Sequence, residues 1–135
     1  MSMSDPAQPI QLNATLLAHL QHPCGLGRPR VHHAHARITG PCGDTMEFWL
    51  TISGNVITQA HFATDGCWST IVCGSAACRL AQGRTLRQAQ DISQRRILTA
   101  LGGLPAAVRH CALLASTTLR SACRSYRPAD VTTYL

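Results

Sequence analysis

The segment Thr45–Thr64, TMEFWLTISGNVITQAHFAT, decides the fold. Met46, Phe48, Leu50 and Ile52 fall on one side of it, and Glu47, Trp49 and Thr51 on the other. That period of two marks a half-buried antiparallel strand. Ser53-Gly54-Asn55 reads as a tight turn, because Gly and Asn tolerate positive φ. Val56–Thr64 then returns as the partner strand. In an antiparallel pair the start of one strand lies beside the end of the next. Cys42-Gly43-Asp44, ahead of the first strand, and Gly66-Cys67, just past the second, are therefore expected side by side.

Working outward, Leu12, Leu16, Leu17 and Leu20 have a helical spacing that Pro23 ends. CGLGRP (24–29) is a loop, and RVHHAHARI (30–38) alternates weakly, as a first strand. Downstream, Trp68–Gln82 is rich in small residues and predicts a tightly packed helix that Gly83 ends. Residues 85–101 predict two short helices with Asp91 as a cap between them. Gly102-Gly103-Leu104-Pro105 breaks the chain, and Pro105 suits the start of a long final helix. Val108, Cys111, Leu114, Ala115, Thr118 and Ala122 form its apolar stripe. Strands first and helices after make an α+β arrangement: a small three-stranded antiparallel sheet packed against several helices, with a long C-terminal helix. Residues 1–11 read as a loose leader, 12–127 as one domain and 128–135 as a tail.

The chain has 135 residues, 45% of them apolar and 13% charged, a composition that folds. No apolar run approaches the roughly 18 residues needed to cross a bilayer. The N-terminus has neither the basic nor the apolar region of a signal peptide, so a cytoplasmic location is expected. The formal net charge is +6, and every basic residue is arginine. The arginines are scattered, aromatics are few and no nucleic-acid motif accompanies them. The charge therefore predicts a solvated face, or a face for an acidic protein partner, rather than nucleic-acid binding.

There are seven cysteines, an odd number in a reducing setting, which favours metal or thiolate chemistry over a disulfide framework. Cys67 and Cys111 both fall near helix starts, where aligned amides stabilise a thiolate and lower its pKa. With Cys42, Asp44 and His110 they make a set of three thiols, one carboxylate and one imidazole. Such a set suits zinc or an iron–sulfur unit. Gly43 lets Cys42 and Asp44 turn toward one centre; the other reading of Asp44 is a side chain that caps a turn. Cys73, Cys78 and Cys123 sit in helical patterns and read as small core hydrophobes. Cys24 lies in a loop and stays open. His32, His33 and His35 invite a metal reading; partly exposed strand positions account for them better.

The stretches GPCGDTMEFWLTISGNVITQAHFATDGCWSTIVCGSAACRLAQGRTL (40–86) and LPAAVRHCALLASTTLRSACRSY (104–126) resemble the IscU/NifU N-terminal family of iron–sulfur cluster scaffolds. The matching motifs are Cys42-Gly43-Asp44, Gly66-Cys67 and His110-Cys111, in the family's order and spacing. The resemblance implies a SufE/IscU-like fold and an assembly role rather than enzymatic turnover. Sulfur comes as persulfide from a cysteine desulfurase, with Cys111 as the candidate acceptor. Iron is bound, a transient [2Fe–2S] cluster forms on Cys42, Asp44, Cys67, Cys111 and His110, and it passes to acceptor proteins. Zinc in the same site of the isolated protein is also implied. Two other functions stay open: a zinc-bound SufU-like sulfur acceptor, and a zinc-stabilised interaction domain. The insertion that marks SufU-type proteins between the second and third ligand cysteines is absent. Leu104-Pro105-Ala106-Ala107-Val108 stands where the family carries a chaperone-binding Leu-Pro-Pro-Val-Lys, without the second proline and the lysine, so weak or absent chaperone binding is expected. Cys24 replaces a usual arginine and offers a fifth thiol near the site.

Overall fold

A computed structural model describes residues 13–128; the leader, Leu12 and nearly all of the tail lie outside the described residues. The elements run α1 (Ala14–Gln21), β1 (Ala34–Thr39), β2 (Thr45–Ser53), β3 (Val56–Thr64), α2 (Trp68–Ala81), α3 (Leu86–Gln90), α4 (Gln94–Ala100), a 3₁₀ turn (Ala106–Val108) and α5 (His110–Ser125). The three strands form one antiparallel sheet in the order β1-β2-β3. This is the expected α+β arrangement.

The period-two pattern of β2 does what it predicts: Met46, Phe48, Leu50 and Ile52 are buried on the inner face. Helix α5 packs against β1 and β2 on that face, and α2 packs against β3 and α5. Trp49, on the outer face, is also buried, because the His35 ring stacks on it at 5.6 Å. The hairpin turn has Gly54 at φ +62, while no residue other than glycine takes a positive φ among the described residues, so Asn55 does not. Strand β3 carries a feature its pattern hides. Thr51 pairs with Gln59 and Ile52 with Ile57, so Thr58 is an extra residue. This bulge re-phases the strand and turns both Ile57 and Ala60 inward.

The small residues of α2 have a direct packing role. A Cβ on Gly74 would meet the Phe62 ring at 2.3 Å, so glycine is what lets α2 lie close on β3. Cys73, Cys78 and Cys123 are buried in the same core. Burial raises the pKa of each, that of Cys123 to about 12, and keeps the thiols neutral.

Four local expectations are corrected. Strand β1 begins at Ala34, not Arg30: the His33 N–H still donates to the Leu50 carbonyl, but the Ile52 N–H goes to the His33 ring Nδ1 at 2.8 Å instead of to a backbone carbonyl, and the ladder stops there. Asp91 closes α3; the cap of α4 is Ser93, whose hydroxyl accepts the Arg96 N–H at 3.1 Å. The final helix does not run unbroken from Pro105, for a 3₁₀ turn precedes α5. Cys24 is not near Cys67: its N–H donates to Ser75 Oγ and its Sγ accepts from Gln82, toward the far end of α2. At 1.5 Å per residue that end is about 20 Å from Cys67. Two of the three histidines of that stretch are tied up structurally: beyond the His33 bond, His35 Nε2 meets Glu47 Oε2 at 2.5 Å.

Candidate metal centre

Five side chains from three places in the chain meet at the end of the sheet where β2 starts and β3 ends. Hydrogen bonds hold that corner rigid. The Asp65 carboxylate accepts the Thr45 N–H at 2.7 Å, and the Thr64 hydroxyl donates to the Thr45 carbonyl at 2.8 Å. Thr64 Oγ1 also accepts the Gly66 N–H at 3.1 Å. The β1–β2 turn closes through Gly40 N–H to the Asp44 carbonyl at 2.8 Å and Gly43 N–H to the Gly40 carbonyl at 3.0 Å.

Gly43 has φ +94, which an L side chain rarely adopts, and this kink brings Cys42 and Asp44 to one side. Cys42 Sγ lies 4.0 Å from Asp44 Oδ2. Gly66 acts differently, by leaving room: a Cβ there would sit 2.6 Å from Thr70 Oγ1 and 3.0 Å from Asp44 Cγ. The Asp44 carboxylate accepts no backbone N–H among the described residues. The carboxylate that ties the turn is Asp65's, so capping does not account for Asp44.

Cys67 stands at the N-cap of α2, exposed, with extended backbone. Cys111 is in the first turn of α5 and buried. Cys42, Asp44 and His110 each present a donor atom within 4.8 Å of the other two. Cys111 Sγ adjoins this group, 3.7 Å from His110 Nε2. Cys67 joins through Ser69, whose hydroxyl lies 3.1 Å from Cys67 Sγ and 3.4 Å from Cys111 Sγ. The sequence reading missed Ser69. Its signal was its place two residues after Cys67, on the face that α2 turns toward α5.

The two helix-start thiols differ in electrostatics. Hydrogen bonds from the Ser69 hydroxyl and Ser69 N–H lower the Cys67 pKa, as expected at a helix start. For Cys111 the expectation is reversed. Burial raises its pKa, the negative charges of Cys67, Asp44 and Cys42 push the same way, and the Ser69 hydrogen bond opposes them only in part. A cation placed among these donors would neutralise the repulsion, so the donor set fits a soft metal or an iron–sulfur unit and is self-repelling without one. Three thiols with a carboxylate or an imidazole match tetrahedral zinc or iron coordination.

The chain is similar to known proteins over most of its length. The NifU-like N terminal domain family matches residues 12–132. The chain is 34% identical over 109 residues to the iron-sulfur cluster assembly scaffold protein IscU 1 of Archaeoglobus fulgidus, covering 80% of this chain and 71% of that protein. It is 32% identical over 111 residues to the nitrogen fixation protein NifU of Trichormus azollae, covering 80% of this chain and 37% of the relative. Among solved structures, a NifU-like N-terminal protein from Brucella abortus superposes with a TM-score of 0.63 at 21% identity, covering 84% of this chain and 92% of that one.

Proposed function

Because this chain belongs to the family of NifU-like N-terminal domains, we propose that it is an iron–sulfur cluster assembly scaffold. It receives sulfur from a cysteine desulfurase, binds iron, holds a transient [2Fe–2S] cluster and hands it to acceptor proteins. The observation that carries this reading is the convergence of Cys42, Asp44, Cys67, His110 and Cys111 on one partly open corner. Three thiolates supply most of the iron coordination, and Asp44 or His110 completes it. Ser69 holds Cys67 and Cys111 to a common centre. Cys111 is the persulfide acceptor on this reading, shielded from water by its burial. The protein acts as a carrier with no turnover of its own. Its setting is cytoplasmic, where thiols stay reduced; among the described residues no helix is long and apolar enough to cross a membrane. The same donors hold zinc when iron and sulfur are not supplied. Chaperone docking at Leu104–Val108 is weak or absent, since Leu104 is buried and no lysine follows it.

The test is anaerobic reconstitution with ferrous iron, cysteine and a cysteine desulfurase, followed by visible absorption. Wild type and Cys123→Ser should develop the sulfide-to-iron bands, and Cys42→Ser, Cys67→Ser and Cys111→Ser should not. Full cluster content in Cys67→Ser would refute the ligand assignment. No cluster on the wild type, with zinc retained and desulfurase turnover stimulated, would make the protein a sulfur acceptor instead.

A further inference from the structure

Among the described residues the sheet has one open edge. The outer edge of β3 is bonded: Gly27 N–H donates to the Phe62 carbonyl, Phe62 N–H to that of Gly25, and Ile57 exchanges bonds with Arg84 and Gly83. Strand β1 pairs only with β2 among the described residues. The register fixes which groups are free. Gly40 bonds to Asp44, so Ile38, Ala36 and Ala34, paired with Met46, Phe48 and Leu50, face β2 with their polar backbone groups. His35, Arg37 and Thr39 turn theirs outward. The His35 N–H confirms this parity by donating to Ser125 Oγ at 3.2 Å. The Arg37 and Thr39 N–H groups meet no acceptor among the described residues.

Beside this edge runs a cavity of about 310 Å³ between the end of β1 and α5. Ile38, Pro41, Leu113, Leu114 and Thr117 line it, and it opens onto Cys42 and His110. Leu113 is 52% exposed. An edge with free N–H and C=O groups takes an extended backbone, and an uncharged trough beside it takes apolar side chains. The track leads to the exposed donors of the centre, not to Cys111 behind them, which a sulfur donor has to reach.

Resting on the scaffold reading, we propose that this track docks the cluster acceptor, which adds an extended, apolar segment to β1 and brings its own thiolates beside Cys42 and His110. Handover is then ligand exchange. Each acceptor thiol bonds iron and gives up its proton, the departing Asp44 carboxylate or scaffold thiolate takes one up, and no electron changes hands. Main-chain pairing asks little of side-chain sequence, which suits a surface that serves more than one acceptor.

Two variants and one direct measurement test this, with apo-ferredoxin as the acceptor. Thr39→Pro removes an outward N–H and spares the β1–β2 ladder; proline is tolerated on an edge strand. Leu113→Glu puts a charge in the trough. Both should build the cluster with wild-type absorption and lifetime, yet transfer it about tenfold more slowly, the scale of one or two lost hydrogen bonds. In the wild type, apo-ferredoxin should slow hydrogen exchange at the Arg37 and Thr39 amides. Unchanged transfer by well-loaded variants, or unchanged exchange at those amides, would overturn the proposal. So would slowed persulfide transfer from the desulfurase with normal handover, which would assign the track to the sulfur donor. A wild type that builds no cluster fails earlier, at the scaffold reading, and takes this proposal with it.

Discussion

Asp44 is the residue whose chemistry separates a carrier from a store. A fourth thiolate would hold iron or zinc more firmly, since sulfur is the softer donor. A carboxylate exchanges more readily and accepts a proton as it leaves. Asp44→Ala should therefore lengthen the half-life of a reconstituted cluster in air and slow its passage to apo-ferredoxin, measured by visible absorption and circular dichroism. Equal half-lives would remove Asp44 from the ligand set. The thiols around it are also unequal. Cys67 has a lowered pKa, so its thiolate persists to lower pH; Cys111 has a raised one and needs higher pH to ionise. In the metal-free protein, iodoacetamide should modify Cys67 at a pH where Cys111 is still inert, and mass spectrometry of the digest reads the order directly. Ser69→Ala should shift the Cys67 profile upward in pH, because the donor that stabilises its thiolate is lost.

Among the elements, α2 carries the tightest constraint. Gly74 faces the Phe62 ring with no room for a methyl group. Gly74→Ala gains helix propensity but overpacks the contact, and the clash wins: a loss of about 1–3 kcal/mol is expected. Thermal unfolding measures it, and Phe62→Leu in the same background should restore part of the loss. A neutral Gly74→Ala would mean that α2 can lift from β3 at little cost. The hairpin is the other decisive element. Its register, Met46 opposite Thr64, brings Cys42 and Asp44 to Cys67. A shift of one residue would both invert the core face and pull the donors apart, so burial of Phe48 and Phe62 also secures the site.

For the molecule as a whole, burial of Cys73, Cys78 and Cys123 sets an alkaline limit. Their pKa values are raised above the usual thiol value of 9.0 in the folded protein. Above that pH the unfolded chain loses these protons while the folded chain keeps them, so the unfolded state binds fewer protons and stability falls as pH rises. The melting temperature should decline between about pH 9 and 11, and Cys73→Ala with Cys123→Ala should flatten the decline. An unchanged slope in that double variant would place the alkaline transition elsewhere. The sequence by itself determined the sheet, because period-two alternation and a glycine turn leave one way to bury Met46, Phe48, Leu50 and Ile52. It also determined that Cys42, Asp44 and Cys67 are neighbours, which follows from antiparallel pairing alone. Helix stops were legible where Gly or Pro marks them, and starts less so: Pro105 opens only a 3₁₀ turn ahead of α5, and Ser93 rather than Asp91 caps α4. Only the tertiary structure decided the rest. It packs α5 across the sheet, brings Cys111 and His110 to the corner, buries Cys111 deeply enough to reverse its pKa shift, and sets Ser69 between two thiols. It also sends Cys24 to the far end of α2. The physical reason is that periodicity records which face of an element is buried, whereas the charge, burial and hydrogen bonding at a site depend on which other elements pack against it.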